Sequence, residues 1–399
     1  MGTGQEIVGL ISVKRFTYYT FRLPALARRT PMRRMDRTQL KMYPLADRTN
    51  KLDIGEVALA PDRRPAEIPA AEEARIERTA DRIRRARQNN RPVMLTFGAH
   101  LVKNGIGPLI ARMIEDGWLT HVATNGAGSI HDWEFAFQGL SGEDVRENVA
   151  AGKFGTWEET GRFLNLAIAV GGAHGLGYGQ SVGRLIADDG LMVPSRYSLR
   201  RELIRVAAED SVEEDAGAIA DLLSLVTTFN IPAGKMEISH PFRASSIQYA
   251  AYAQEIPFTV HPGIGYDIIY THPMNNGGAI GRGAVRDFLS FADTICHLEG
   301  GVHLSVGSAI MAPMVFEKAL SMANNLALRA GRALANYSLV VNDIQDGGNW
   351  DWSRGEPPQD NPAYYLRFCK SFYRMGGELD YICLDNRAFL LGLYRALER

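Results

Sequence analysis

Short apolar runs alternate with longer helical patterns from Pro92 to the end of the chain, and each run ends in a polar or glycine-rich turn. Strands separated by helices favour parallel βαβ connections, so the pattern predicts an α/β fold with a Rossmann-like, doubly wound parallel sheet. No repeat or low-complexity linker interrupts it, and we predict one domain over residues 46–399. The predicted strands are 92–97, 121–128, 256–265, 301–306, 337–343 and 379–385, with helices at 313–330 and 386–397.

The N-terminal part of the sequence is basic. The first fifty residues contain ten Lys or Arg and three Asp or Glu, and the stretch LARRTPMRRMDR at 26–37 is the most basic. We interpret residues 1–45 as a mobile extension, with a targeting peptide or a nucleic-acid-binding arm as alternatives. The charged stretch 67–91 has few apolar residues and is interpreted as a solvated helix that ends before Pro92.

Composition excludes several classes of protein. With 44 Lys and Arg against 45 Asp and Glu, the net charge of -1 provides no global field for nucleic acid or a membrane. The three cysteines form no CxxC pair, which is typical of reduced thiols in the cytosol. No apolar stretch approaches the ~20 residues of a membrane-spanning helix. The sequence therefore predicts a soluble, cytoplasmic protein without membrane or nucleic-acid partners.

Polar side chains and glycines follow most of the predicted strands. Ligands of doubly wound sheets bind outside the carboxyl ends of the strands. A single strand end of this kind is more often a turn or a helix cap, because Asn, Asp and Gly favour both. Five on one sheet favour a ligand site. They are 124–128, 261–267, 307–308, 342–346 and 385–386.

The usual nucleotide and metal motifs are missing from the sequence. The glycines at 175, 177, 179 and 183 have the wrong spacing for GxGxxG, and neither a Walker A motif nor GxSxG occurs. The four-residue spacing of Gly175, Gly179 and Gly183 instead suggests a close-packing helix face for a subunit contact. Histidines and aspartates at 131, 132, 261, 267 and 272 could converge, but no HExxH motif is present, and we predict no metal.

An ordered set of motifs over residues 92–399 resembles deoxyhypusine synthase. The segment 97–134 is similar to the first nucleotide-contacting segment of that family, and 238–270 to its central segment ending in Gly-Asp. The segment 302–313 takes the place of its glycine-rich strand end. VVNDIQDGG at 340–348 and Asp385 are similar to its last two cofactor-binding elements.

This resemblance implies a fold, a cofactor and a set of site residues. The family has a Rossmann-like domain related to the sirtuin fold, forms homotetramers and uses NAD to oxidise the polyamine spermidine before transferring its aminobutyl group through a lysine. By position, Asp267 would bind the amine, and His131 would line the NAD site, bind substrate or move a proton. The implied NAD-binding residues are Thr124, Asn125, Gly126, Gly128, Asp343, Gln345, Asp346 and Asp385.

The sequence departs from the family at the catalytic lysine. Arg367 takes the lysine's place and Tyr365 that of a tryptophan, while Lys370 would match only after a shift of the alignment. A guanidinium stays protonated and does not readily form the imine on which aminobutyl transfer depends. In the first segment, Ala99 and Lys103 replace serines that contact NAD.

These departures predict an NAD-dependent, transferase-like enzyme that acts on an amine or a related small substrate but does not make deoxyhypusine. Its catalytic residues would be Asp267, His131, Arg367 and Tyr365. A non-catalytic NAD-binding or interaction protein of the same fold is the first alternative. A sirtuin-like NAD-consuming hydrolase is the second. The resemblance also predicts a homotetramer.

Overall fold

The computed structural model describes residues 33–63, 67–208 and 213–399. The chain divides into two compact units, Met1–Asp36 and Arg37–Arg399, and every element below belongs to the second. Residues 1–32 of the predicted basic extension lie outside the described residues, so its role stays a prediction.

Ten strands occur in the described residues. Six form a central parallel sheet, and the others form two antiparallel pairs, β1 with β4 and β5 with β6. The strands are β1 Leu52–Asp53, β2 Val93–Phe97, β3 His121–Asn125, β4 Leu140–Ser141, β5 Gly190–Val193, β6 Gly234–Glu237, β7 Phe258–His261, β8 Val302–Val306, β9 Ser338–Asp343 and β10 Glu378–Cys383.

Helices cover the sheet and build a helical region between β4 and β7. Single-turn 3-10 helices occur in the connections. The α-helices are α1 Ile54–Val57, α2 Ala70–Gln88, α3 Ala99–Lys103, α4 Gly107–Glu115, α5 Gly126–Gln138, α6 Val145–Ala150, α7 Glu158–Gly172, α8 Tyr178–Ala187, α9 Arg196–Ala208, α10 Glu213–Thr228, α11 Ile247–Ala253, α12 Gly277–Cys296, α13 Met311–Arg329, α14 Arg367–Arg374 and α15 Asn386–Leu397.

The central sheet has the strand order β10-β9-β8-β2-β3-β7 with every pair parallel. Of the strands in this sheet, the first three along the chain, β2, β3 and β7, follow one another outward from the centre on one side. The last three, β8, β9 and β10, do so on the other side, which is the doubly wound Rossmann order. Each predicted sheet strand overlaps one of these six, and the predicted fold class is confirmed at this level. The direction of winding changes between β2 and β8.

The sequence pattern explains why these six segments form the interior. Every residue of β2, β7 and β8 is buried, as expected for parallel strands covered on both faces by helices. Phe97 pairs with Thr124 on one side and Val306 on the other, and Asn125 pairs with His261. This register brings the polar ends of neighbouring strands to one edge of the sheet.

The first correction concerns α2, which was predicted to be a solvated helix. It buries Ile76, Ala80, Ile83 and Ala86 and packs against α15. The small alanines between long side chains give a narrow buried stripe that a count of large apolar residues misses. Arg82 forms ion pairs with Glu378 and Asp380 at the edge strand β10.

The second correction concerns the glycines predicted to form a subunit contact. A Cβ atom at Gly179 would lie 2.0 Å from the carbonyl oxygen of Phe258 on β7, and one at Gly183 would lie 2.8 Å from that of Gln248 on α11. This face of α8 is therefore packed inside the chain and leaves no surface for a partner. The predicted homotetramer loses this support.

Two smaller observations complete the fold. Among the described residues, no helix is both long and apolar enough to span a bilayer. Cys296, Cys369 and Cys383 are all free thiols, and Cys369 is buried.

Candidate functional site

A cavity of about 200 Å³ brings together two of the predicted catalytic residues, Asp267 and His131. The walls come from the first turns of α5, the loop after β4 and the segment after β7, near the carboxyl edge of the sheet. The lining residues are Arg48, Lys103, Ala127, Ile130, His131, Glu134, Gly142, Glu143, Val145, Phe154, Tyr266, Asp267 and Ile268.

Asp267 is the most unusual side chain of this cavity. It is 4% exposed; its Oδ2 atom accepts a hydrogen bond from the N–H of Gly263 at 2.9 Å, and its buried Oδ1 atom has no partner among the described residues. Burial raises its pKa to about 6, although the amides of Gly263 and Ala127 oppose the rise. A Cβ atom at Gly126 would lie 2.3 Å from Oδ2, so only glycine there lets the carboxylate approach the start of α5.

Two tyrosines near Asp267 also have unpaired hydroxyl groups. The buried hydroxyls of Tyr178 and Tyr270 have no hydrogen-bond partner in the described part of the chain. The pKa of Tyr270 is raised to about 12, first by burial and then by the charge of Asp267. Buried polar groups without a protein partner are rare in folded proteins, and water, an ion or a ligand commonly satisfies them. The surroundings of Asp267 therefore have the polar features of a binding site.

His131 is held by a relay of hydrogen bonds. The hydroxyl of Ser141 donates to Glu134 Oε2 at 2.6 Å, so Ser141 Oγ can only accept from Nδ1–H of His131, at 2.7 Å. This arrangement fixes the tautomer and leaves Nε2 as the unprotonated nitrogen. Burial lowers the pKa of His131, and the charge of Glu134 only partly offsets it. A neutral imidazole with a free Nε2 is suited to accept a proton.

Glu134 is anchored by a buried ion pair. The guanidinium of Arg48 donates to both carboxylate oxygens at 2.8 Å, and each side chain is 1% exposed. The hydroxyl of Thr160 donates to Oε1 at 3.0 Å. Burial would raise the pKa of Glu134, but the ion pair and hydrogen bonds hold it below its usual value. The relay therefore ends in a fixed negative charge.

The predicted cofactor residues of β3 and α5 build the turn between these elements. The hydroxyl of Thr124 donates to the carbonyl of Phe97 at 3.0 Å, and Asn125 caps α5 by accepting from the amide of Gly128 at 2.8 Å. A Cβ atom at Gly128 would lie 2.0 Å from Thr124 Oγ1. These residues shape the strand end through backbone contacts, and Gly126 gives Asp267 its place.

The predicted cofactor residues after β9 and β10 lie on the other side of the β2–β8 centre. Asp343 Oδ1 accepts from the amide of Gln345, Asp346 Oδ1 from that of Gly348, and Asp385 Oδ1 caps α15. The second carboxylate oxygen of each aspartate has no partner among the described residues. The structure thus places the predicted cofactor residues at one sheet edge in two groups.

Arg367 and Tyr365, the other predicted catalytic residues, lie apart from the cavity. Arg367 begins α14 and is exposed, and Tyr365 is 71% exposed. Neither lines the cavity that contains Asp267 and His131. The described residues also contain no group of three side chains that could hold a metal ion. Asp132, one of the candidate ligands, instead accepts hydrogen bonds from Ser246 and the start of α11.

Three residues of the cavity and its relay were missed from the sequence, namely Arg48, Ser141 and Glu134, and Lys103 was noted only as a replacement of a serine. Glu134 follows His131 by three residues, so the two lie on one helix face, and this spacing was a signal that could have been used. Arg48 and Ser141 come from distant segments, and only the tertiary fold shows their role.

Comparisons with known proteins give the chain structural relatives but no family. No family model and no curated protein matches it. It is similar to the ternary complex of AgrE with ornithine and NAD+, with 16% identity and a TM-score of 0.41 over 84% of this chain and 34% of that one. For ArgZ, an arginine dihydrolase from cyanobacteria, the values are 14%, 0.39, 84% and 33%. For a putative LOR/SDH protein from Methanococcus maripaludis S2 they are 14%, 0.39, 86% and 72%.

The chain spans about a third of the length of the AgrE and ArgZ structures. These relatives belong to a different group from deoxyhypusine synthase, and the resemblance stated from the sequence is wrong. Its motifs were dispersed glycine and aspartate turns, which recur at the strand ends of unrelated doubly wound sheets. Arg367 and Tyr365 were assigned as catalytic residues by that resemblance alone, so no observation now supports this role for either of them.

Proposed function

We propose that the chain is an NAD-binding enzyme that acts on a small substrate with an amino group. The strand order supports the cofactor, because doubly wound sheets bind dinucleotides where the winding changes direction, here between β2 and β8. Gly98 and Gly307 follow these two strands and pack closely together, since a Cβ atom at Gly98 would lie 2.3 Å from the carbonyl oxygen of Gly307. Asp343 and Asp385 lie at the carboxyl ends of β9 and β10, on the β8 side of this point, and their carboxylates are suited to ribose hydroxyls.

NAD should bind more tightly than NADP, because the extra phosphate would meet carboxylates. Asp385→Asn is the informative variant, since asparagine still caps α15 whereas alanine would remove the cap. We expect it to weaken NAD binding by about 1–3 kcal/mol, the range for losing a hydrogen bond to a charged group. Calorimetry with Asp53→Asn, a cap at the distant helix α1, is the control. Equal affinity of Asp385→Asn and the unaltered protein would remove Asp385 from the site.

The observation that carries the enzymatic part is the shared cavity of Asp267 and His131. Asp267 Oδ1 is a buried acceptor that an ammonium group would satisfy. His131 Nε2 is available to take a proton from the substrate, and Ser141 and Glu134 would stabilise the resulting imidazolium. NAD, when bound, would accept a hydride from the carbon that carries the amino group.

The test is formation of NADH on incubation with NAD+ and a candidate amine, with ornithine as the first probe because AgrE was crystallised with it. We expect His131→Gln to slow turnover by about 100-fold or more, the usual worth of a general base, without changing NAD affinity. His297→Gln, which alters an exposed histidine, is the matched control.

The other predicted classes give different results in the same assay. NAD binding without turnover of any amine would favour a non-catalytic protein. Release of nicotinamide would favour an NAD-consuming hydrolase. Full turnover in His131→Gln would exclude His131 as the base.

A further inference from the structure

Lys103 and Asp267 are the charged side chains of the cavity that keep a polar atom without a partner among the described residues. Arg48 neutralises Glu134, and the Glu143 carboxylate accepts hydrogen bonds from Trp157, Asn148 and the amide of Gly155. Lys103 forms no hydrogen bond or ion pair within the described residues. Within that part of the chain, the polar atoms of these charged side chains that lack a partner are therefore Nζ of Lys103 and Oδ1 of Asp267, whereas Glu143 carries a charge that no cation pairs but has both carboxylate oxygens hydrogen-bonded.

The fold places these two charges on different elements of the wall. Lys103 is the last residue of α3, which follows β2 directly and packs against α5. Asp267 comes from the segment after β7, and Gly126 at the start of α5 allows its close approach. Lys103 also lies near His131, since the charge of Lys103 is one cause, after burial, of the lowered pKa of that histidine.

We propose that this cavity selects an α-amino acid in its zwitterionic form, with Lys103 binding the carboxylate and Asp267 the ammonium group. The inference rests on the proposed function, because it assigns the amino group of that substrate to Asp267. It adds a specificity-determining residue, Lys103, and a chemical class narrower than amines in general.

The charge pattern discriminates between classes of small molecule. A simple amine would pair with Asp267 but would place its cation beside the cation of Lys103. A simple carboxylate would pair with Lys103 but would place its negative charge beside that of Asp267. An amino acid complements both charges, and specificity of this kind arises as much from the mismatch of competitors as from the favoured contacts. The volume of about 200 Å³ is also below that of pockets for drug-sized ligands, about 300–1,000 Å³, and suits a small molecule.

The experiment compares amino acids with the amines that lack only their α-carboxylate, namely ornithine with putrescine, lysine with cadaverine and alanine with ethylamine. Binding to the full chain is measured by calorimetry with and without NAD+. For at least one pair we expect the amino acid to bind about tenfold or more tightly, as for a charged contact. Lys103→Met should reduce the ratio to near one while the amine binds at least as tightly as before, and Asp267→Asn should weaken both members. Lys153→Met, a lysine packed over Tyr43, should leave the ratio unchanged.

The possible failures are distinguishable. Equal or tighter binding of the amines, or an unchanged ratio in Lys103→Met, would overturn the role of Lys103 and leave the amine site of the proposed function intact. If no member of any pair binds, both Lys103 and Asp267 lose their assigned ligands. NAD affinity, measured separately, then decides whether the cofactor part survives.

Discussion

Replacing Arg48 with methionine should lower the free energy of unfolding by about 3–5 kcal/mol, as for other buried ion pairs that lose one partner. The variant leaves the carboxylate of Glu134 buried, with only the hydroxyls of Ser141 and Thr160 to solvate it. Folded domains have only about 5–15 kcal/mol of stability, so the loss is a large part of the total. Denaturant unfolding at neutral pH is the measurement.

Two further variants separate the charge effect from lost packing. Arg48→Met/Glu134→Gln removes both charges, and we expect it to recover at least half of the loss, because no uncompensated ion stays buried. Lys51→Met breaks the exposed pair of Lys51 and Asp144 and should cost less than about 1 kcal/mol. If Arg48→Met costs no more than Lys51→Met, Arg48 is not what stabilises Glu134, and the relay to His131 is not anchored as described.

The sheet was largely predictable from the sequence because its strands are short apolar runs with abrupt polar ends. β2 and β8 are buried on both faces, and such strands must be continuously apolar. The helix α15 was predicted with its observed limits, since Asp385 is a strong N-cap. The antiparallel pair β5–β6 was missed, because two four-residue strands 40 residues apart have no local signature.

The site was predictable only in part, for a different physical reason. Asp267 belongs to the polar segment after β7, where topology predicts ligand contacts, whereas His131 lies in the second turn of α5 and was assigned through the family resemblance. Lys103 was noted only as a departure from a family to which the chain does not belong. Lys103 is important because its ammonium group has no partner among the described residues. Whether a charged side chain is paired depends on which distant segments come together, such as those that contain Arg48 and Glu143, and the local sequence does not show this.

Acid should destabilise the protein through three buried histidines on strands of the central sheet. His121 on β3, His261 on β7 and His303 on β8 form hydrogen bonds to threonine hydroxyls. His121 donates from Nδ1 to Thr294, whose own proton goes to a carbonyl. Its Nε2 contacts the hydroxyl of Thr259, which also contacts Nε2 of His261. Burial lowers the pKa of His121 and His303 to about 3 and that of His261 to about 4.

The sign follows from which state binds protons. Between the folded-state pKa of each histidine, about 3 for His121 and His303 and about 4 for His261, and pH ~6.5, the unfolded chain protonates that histidine and the folded chain does not. Stability therefore falls as the pH falls through this window, by about 1.4 kcal/mol per pH unit for each group. Two buried carboxyls act in the opposite direction. The pKa of Asp287 is raised to about 8 and that of Asp267 to about 6, both mainly by burial, so the folded state binds their protons first. The difference in the free energy of unfolding between matched variants therefore isolates the contribution of the histidines better than the full pH dependence of stability does.

His303→Phe combined with Thr96→Val is the variant that makes this difference measurable. The ring of His303 is stacked on Phe316 with centroids 4.6 Å apart, and phenylalanine keeps that packing. Valine at 96 removes the hydroxyl that would otherwise lose its partner. The stability of this variant should fall less steeply in acid, with a total gain of about 4–5 kcal/mol at pH ~3 relative to the difference at pH ~7.5. His297→Gln, at an exposed position, should follow the unaltered protein. If the free energies of unfolding of all three proteins fall in parallel as the pH is lowered, His303 takes up a proton without unfolding. The burial of His303 would then not determine how much acid the folded protein tolerates.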